Sequence, residues 1–168
     1  MVLTQYLSER FPETGLLPSN EEERATMRLF TELCGSTLPY FPIVRASAMA
    51  TKDGDATELE QAIEALQQGL CNVNTFLEKM DNNGPFLFGE KFSLAECNIA
   101  PFLQRACIVL PSCTSVDPIK MCKDHNWTHA KAWIESVIAR PSVRAAESSE
   151  EELMRGINRI LERLASAK

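Results

Sequence analysis

Three observations predict an all-α fold, a helical bundle. Apolar residues recur at alternating spacings of four and three, most clearly at Leu59, Ile63, Leu66, Leu70, Val73, Leu77 and Met80, one continuous helical stripe. Helix-start signatures, Ser or Thr followed three residues later by Glu, open several of the apolar stretches. No run alternates with the period of a strand, and no internal repeat is present.

Val2, Leu3, Tyr6, Leu7 and Phe11 give the first residues the pattern of a short amphipathic helix. Pro12 ends it, and Gly15 and Pro18 mark a linker. Ser19 to Glu22 reads as a capping box for a helix from about residue 21 to about residue 50. Pro39 and Pro42 must kink or interrupt that helix, because each removes an amide donor and clashes one turn back. Residues 51–56 are a turn, and Thr57 opens the helix of the long stripe. Gly69 inside it costs on the order of 1 kcal/mol against alanine, a loss that a close helix–helix contact would explain.

Ser93 and Glu96 form a further capping box, with Phe92 and Cys97 placed to close a hydrophobic staple. The apolar helix that follows contains Pro101, so its last turns should bend, and Pro111 is expected just past its end. Residues 111–124 read as loop-rich, helical pattern resumes over 127–139, and a short turn follows Pro141. Ser148 to Glu151 is expected to cap a last helix with Leu153, Ile157, Ile160, Leu161 and Leu164 on one face.

A chain of 168 residues at 45% hydrophobic content fits one globular domain that buries about 70% of its unfolded surface. Its net charge of -6 argues against a nucleic-acid partner. No apolar run approaches a membrane span, and no signal-peptide pattern is present, so the expectation is a cytoplasmic protein with reduced thiols. Of the six cysteines, Cys34, Cys71, Cys97 and Cys107 fall in apolar helical patterns as small buried groups; Cys113 and Cys122 are the candidates for exposed thiols.

The candidate constellations read mostly as structure. Losing a cap oxygen costs about 1 kcal/mol of stability, and helix-start chemistry does not act on substrates, so Ser93 and Glu96 are structural. Cys122, His125 and His129 have ligand-like spacing without an obvious fourth ligand, and no metal site is expected. Arg155, Arg159 and Arg163 lie beside Glu151, Glu152 and Glu162 as a solvated face. No catalytic residue is assigned.

The stretch Gly84-Pro-Phe-Leu-Phe-Gly-Glu-Lys-Phe-Ser-Leu-Ala-Glu-Cys-Asn-Ile-Ala-Pro-Phe-Leu-Gln-Arg105 resembles the central buried helix of the glutathione transferase C-terminal domain, where Asp is usual in place of Glu96. Tyr6 to Pro12 resembles the last helix of that family's thioredoxin-like domain, and Gly15 to Pro18 and Glu23 to Ala25 resemble the linker and first helix beyond it. Ala132-Trp-Ile134 and Arg140-Pro-Ser-Val143 resemble the closing helices. The layout from Tyr6 to Phe30 is most similar to omega-like and related cytosolic classes. The resemblance thus divides the chain into 1–12, a remnant of the thioredoxin-like domain; 13–18, the linker; and 19–168, the helical domain.

The resemblance implies an electrophile-binding domain acting by glutathione conjugation or thiol transfer, with glutathione as co-substrate bound by a half that lies outside this chain. Without that half, activity is not expected. Met27, Phe30, Cys34 and Leu38 share one side of the first long helix, a spacing that usually means core. The resemblance raises the other reading, that these four and Thr31 line the pocket for a small hydrophobic electrophile. The uncovered face is expected to be apolar and to meet a second copy or a partner protein. The alternative implied is a non-catalytic interaction module, as in translation elongation factor or tRNA-synthetase complexes.

Overall fold

The structure, a computed structural model, describes residues 2–38, 40–80 and 82–166, with residues 37, 53 and 164–166 described in backbone only. Pro39 therefore lies outside the described residues, as does the side chain of Leu164. Among the described residues the fold is all-α: α1 (Val2–Arg10), a 3-10 turn (Pro12–Thr14), α2 (Glu21–Thr37), α3 (Phe41–Asp53), α4 (Thr57–Met80), α5 (Leu94–Cys113), α6 (Pro118–Asp124), α7 (Thr128–Ala139), α8 (Pro141–Arg144) and α9 (Glu150–Ser166). Among the described residues the only strand-like features are two isolated bridges in the turn before α5, Phe86 with Gly89 and Phe88 with Lys91.

α5 is the axis of the bundle and packs against α1, α2, α3, α6, α7 and α9. It is apolar nearly all round because neighbours cover it on most sides, which is what such a composition requires. α4 presents its stripe, Leu66, Leu70, Val73 and Leu77, to α2, α3 and α7, and Gly69 is buried among them. No single described helix is long and apolar enough to cross a membrane.

Several expectations shift by a residue or a turn. The interruption expected of the helix from about residue 21 to about residue 50 is present: Leu38 N closes α2 onto Cys34 O, and Val44 N starts α3 on Tyr40 O. α3 then runs through residues expected to be a turn, as far as Asp53. The cap of α2 is Asn20 rather than Ser19, its Oδ1 accepting from Glu22 N at 2.8 Å. The capping box of α9 is Ser149 with Glu152 rather than Ser148 with Glu151, closed by reciprocal bonds of 3.2 Å. Asp55 Oδ1 accepts from Thr57 N at the start of α4.

Two corrections concern α5 and α6. Pro111 lies inside α5, not past its end. Both Pro101 and Pro111 are exposed, so their rings face water and so can the carbonyls they leave unpaired. The segment expected to be loop-rich contains α6, started by Asp117, which accepts from Ile119 N and Lys120 N ahead of Pro118 at the first helical position. Consequently Cys122, expected exposed, is fully buried. Cys113 is half-buried.

The turn before α5 folds back on itself tightly. Phe92, expected to staple onto Cys97, packs edge-on against Phe86 at 5.3 Å and under the Arg140 guanidinium at 4.0 Å. Gly84 and Gly89 have φ of 133° and 70°, and a Cβ on Gly84 would collide with the Gly89 backbone. Gly84→Ala should therefore lower unfolding stability by about 2 kcal/mol or more in urea titration. Gly156→Ala, in an exposed helix with open space around it, should raise stability by up to about 1 kcal/mol.

Candidate functional site

The break between α2 and α3 shapes an apolar cavity of about 340 Å³. Pro42 has no amide to extend a ladder, so the chain turns at Tyr40 and Phe41 and places both in the cavity wall. Cys34 and Leu38 close it from α2, Leu66 and Leu70 from α4, Ile99, Phe102, Leu103 and Ala106 from α5. Pro118 of α6 and Ile134 of α7 complete it, and no charged side chain lines it. Its floor is core: Leu66, Leu70 and Ile134 are almost wholly buried. Its rim is open, with Gly35 and Pro42 exposed and Phe102 at 53% exposure. Such a shape accepts a small, uncharged apolar body and excludes water from it.

Two of the five residues expected to contact an electrophile, Cys34 and Leu38, line this cavity. Met27, Phe30 and Thr31 do not; they are buried in the adjoining core. Phe30 meets Phe76 and the edge of Trp133, each at 5.2 Å between ring centres. Thr31 Oγ1 donates back to Met27 O at 2.8 Å. Tyr40, Phe41 and Phe102 were not anticipated as lining residues. Phe102 carried a usable signal: a large aromatic on α5 that falls off the buried stripe of Ile99, Leu103 and Leu110.

A second cavity, of about 300 Å³, lies between α5, α8 and α9, with Phe92, Gln104, Arg105 and Leu153 among its walls. Gln104 Nε2 donates to Val143 O at 3.0 Å and ties α5 to α8. α1 carries a further group of exposed apolar side chains. Val2, Leu3, Tyr6 and Leu7 are all exposed, and only Ser8 is buried. The helix is fastened to α5 by Thr4 Oγ1 donating to Asn98 Oδ1 at 2.8 Å.

Five of the thiols, Cys34, Cys97, Cys107, Cys113 and Cys122, are held in the protonated form rather than poised as nucleophiles. Burial, and secondly the Glu96 carboxylate, hold Cys34 well above the usual thiol range. Burial pushes Cys107 up to about 12 and Cys122 up to about 11, with Asp117 adding to both. Cys97 and Cys113 are raised by burial as well. His125 is exposed and stacks on Trp127 at 4.5 Å, and His129 is exposed, while Cys122 faces the core. Among the described residues no group of three His, Cys, Asp or Glu side chains is arranged to hold a metal ion.

The family described as "Glutathione S-transferase, C-terminal domain" matches residues 36–141. The chain is 27% identical over 164 residues to "Glutathione S-transferase DHAR3, chloroplastic" of Arabidopsis thaliana, covering 92% of this chain and 51% of that protein. It is 31% identical over 104 residues to a "Stringent starvation protein A homolog" of Pasteurella multocida, covering 62% and 44%. The chain thus spans about half the length of the curated relatives it matches. Glutathione transferase Omega 3C from Trametes versicolor shares the fold, with a TM-score of 0.71, 21% identity, and coverage of 99% of this chain and 65% of that one.

The thiols also set an alkaline limit. Unfolded, Cys107 and Cys122 ionise near 9.0; folded, they keep their protons to about 12 and about 11. The folded state then binds more protons than the unfolded one, so their contribution is fully present below pH 9.0 and is lost as pH rises toward 11 and 12. Urea midpoints measured from pH 8 upward should fall in that window, and Cys107→Ala should flatten the fall.

Proposed function

The chain belongs to the glutathione S-transferase C-terminal domain family, and from that premise we propose that it is the electrophile-binding half of a glutathione transferase. The observation that carries this reading is the uncharged apolar cavity under Tyr40, Phe41 and Phe102, open at its rim and closed below by core. An apolar electrophile held there would present its reacting carbon at the rim. Glutathione, the co-substrate, would be bound as thiolate by the thioredoxin-like half of the whole protein. Its sulfur attacks that carbon, the new S–C bond forms, and the leaving group departs with the bonding pair. If the activating group in the other half is a cysteine, the reaction is thiol exchange instead. The chain's own task is to bind, orient and exclude water. Cys34, the cysteine in the cavity wall, takes no part, because burial holds its proton too tightly.

In this reading residues 1–12 form the last helix of the thioredoxin-like half and 13–18 the linker. The exposed apolar side chains of α1 would then be covered by the rest of that half, by a second copy, or by both. Of the residues expected to touch the electrophile, Cys34 and Leu38 do so directly, and Met27, Phe30 and Thr31 back the wall. The six free cysteines suit a reducing, cytoplasmic setting.

A second reading, a non-catalytic interaction module, draws on two observations. The uncovered face of α1 suits a protein partner, and one relative is named a stringent starvation protein rather than a transferase.

The intact mass of the endogenous protein separates them. The transferase reading expects a species heavier than 18.8 kDa by a thioredoxin-sized domain, active in glutathione conjugation of 1-chloro-2,4-dinitrobenzene. An 18.8 kDa species without turnover, co-purifying with a partner over the α1 face, would transfer the assignment to the second reading.

A further inference from the structure

Gly35 stands in the last turn of α2 with an ordinary helical φ, where glycine costs stability against alanine. A helical glycine usually marks a close approach by another element, and among the described residues there is none here: a Cβ built on Gly35 meets none of their atoms within 4 Å. Gly156 of α9 is equally open and equally exposed, but it lines neither of the two cavities described above. Gly35 is also one of the residues that line the apolar cavity, at its rim with exposed Phe102 of α5.

We propose that Gly35 is the size-selecting position of this cavity, its missing side chain keeping the α2 side of the rim open to a bulky, uncharged ring. The inference rests on the reading of the cavity as the electrophile site and adds what that site selects. Tyr40 and Cys34 offer the polar side-chain atoms in the wall, and no charged group could take an ionised ligand. Ring bulk, not charge, is therefore what the rim discriminates. The neighbouring position makes the contrast plain. Cys34 is 2% exposed and belongs to the floor, so enlarging it would overpack the core; enlarging Gly35 fills only the entrance.

The test uses the full chain and the neutral dye Nile red, followed at the methyl resonances of Leu66, Leu70 and Leu103, which report the cavity and not the exposed face of α1. Wild type is expected to bind with shifts at those methyls. Gly35→Ala should keep affinity within about threefold and raise Tm, while Gly35→Leu should weaken binding about tenfold or more with Tm at or above wild type. Gly35→Leu binding as tightly as wild type would overturn the size-selecting role and leave the cavity reading standing. A Gly35→Leu variant that melts below wild type would also overturn it, because the space would not be open. Wild type showing no shift at the three methyls would remove the cavity reading, and this proposal with it.

Discussion

Glu96 lies inside the bundle with none of its surface exposed, and four donors converge on its two carboxylate oxygens. Ser93 N and Ser93 Oγ reach Oε2 at 2.9 and 2.6 Å; Leu87 N and Trp133 Nε1 reach Oε1 at 2.9 and 3.3 Å. A carboxylate buried without such partners would be strongly destabilising, so the fold must keep all four in place together. One side chain thereby fixes the turn that precedes α5, the start of α5 itself, and the ring of Trp133 on α7. The fixing extends further by packing, since Trp133 meets Phe30 of α2, and Phe30 meets Phe76 of α4.

The cavity is a consequence of that arrangement. Ile99, Leu103 and Ala106 face it only because α5 is held in one rotation and one height, and its start is pinned at two points. One is the Glu96 knot; the other is Leu94 N, which donates to Leu16 O at 2.8 Å. Opposite α5, the interruption of α2 and α3 leaves room where a continuous helix would have packed. A rigid wall facing a broken one yields an apolar space that core side chains do not fill. Binding an apolar ligand there needs little reordering of the protein, which favours affinity.

The local half of this design was legible in the sequence. The Ser93–Glu96 box, the stripe of α4 and the interruption near Pro42 each follow from residues close in the chain. What escaped depends on distance or on register. Leu87 N and Trp133 Nε1 sit 9 and 37 residues from Glu96, so the carboxylate looked like an ordinary cap rather than a four-donor knot. Asn20 and Ser149 share their caps' neighbourhoods with Ser19 and Ser148, and composition alone does not choose between adjacent oxygens. Asp117-Pro118 is a sound helix start hidden in loop-like composition, and missing it led to the misplacement of Cys122. At the site, Cys34 and Leu38 were named through the family resemblance, since their shared stripe by itself reads as core, and both line the cavity. Tyr40, Phe41 and Phe102 were not named, because their convergence exists only once α2 breaks and α5 is set beside it.

The central claim is that the Glu96 carboxylate, not merely the cap of α5, holds this architecture. Glu96→Gln tests it with almost no change of shape, because an amide turns one acceptor into a donor facing two other donors. Equilibrium urea unfolding beside Asn20→Ala, which removes the cap of α2, an ordinary cap worth about 1 kcal/mol that does not touch Glu96, is the measurement to make. The account predicts a loss of about 2–4 kcal/mol for Glu96→Gln, well beyond that of the cap variant. A Glu96→Gln protein within about 0.5 kcal/mol of wild type, the range of an ordinary surface substitution, would contradict it.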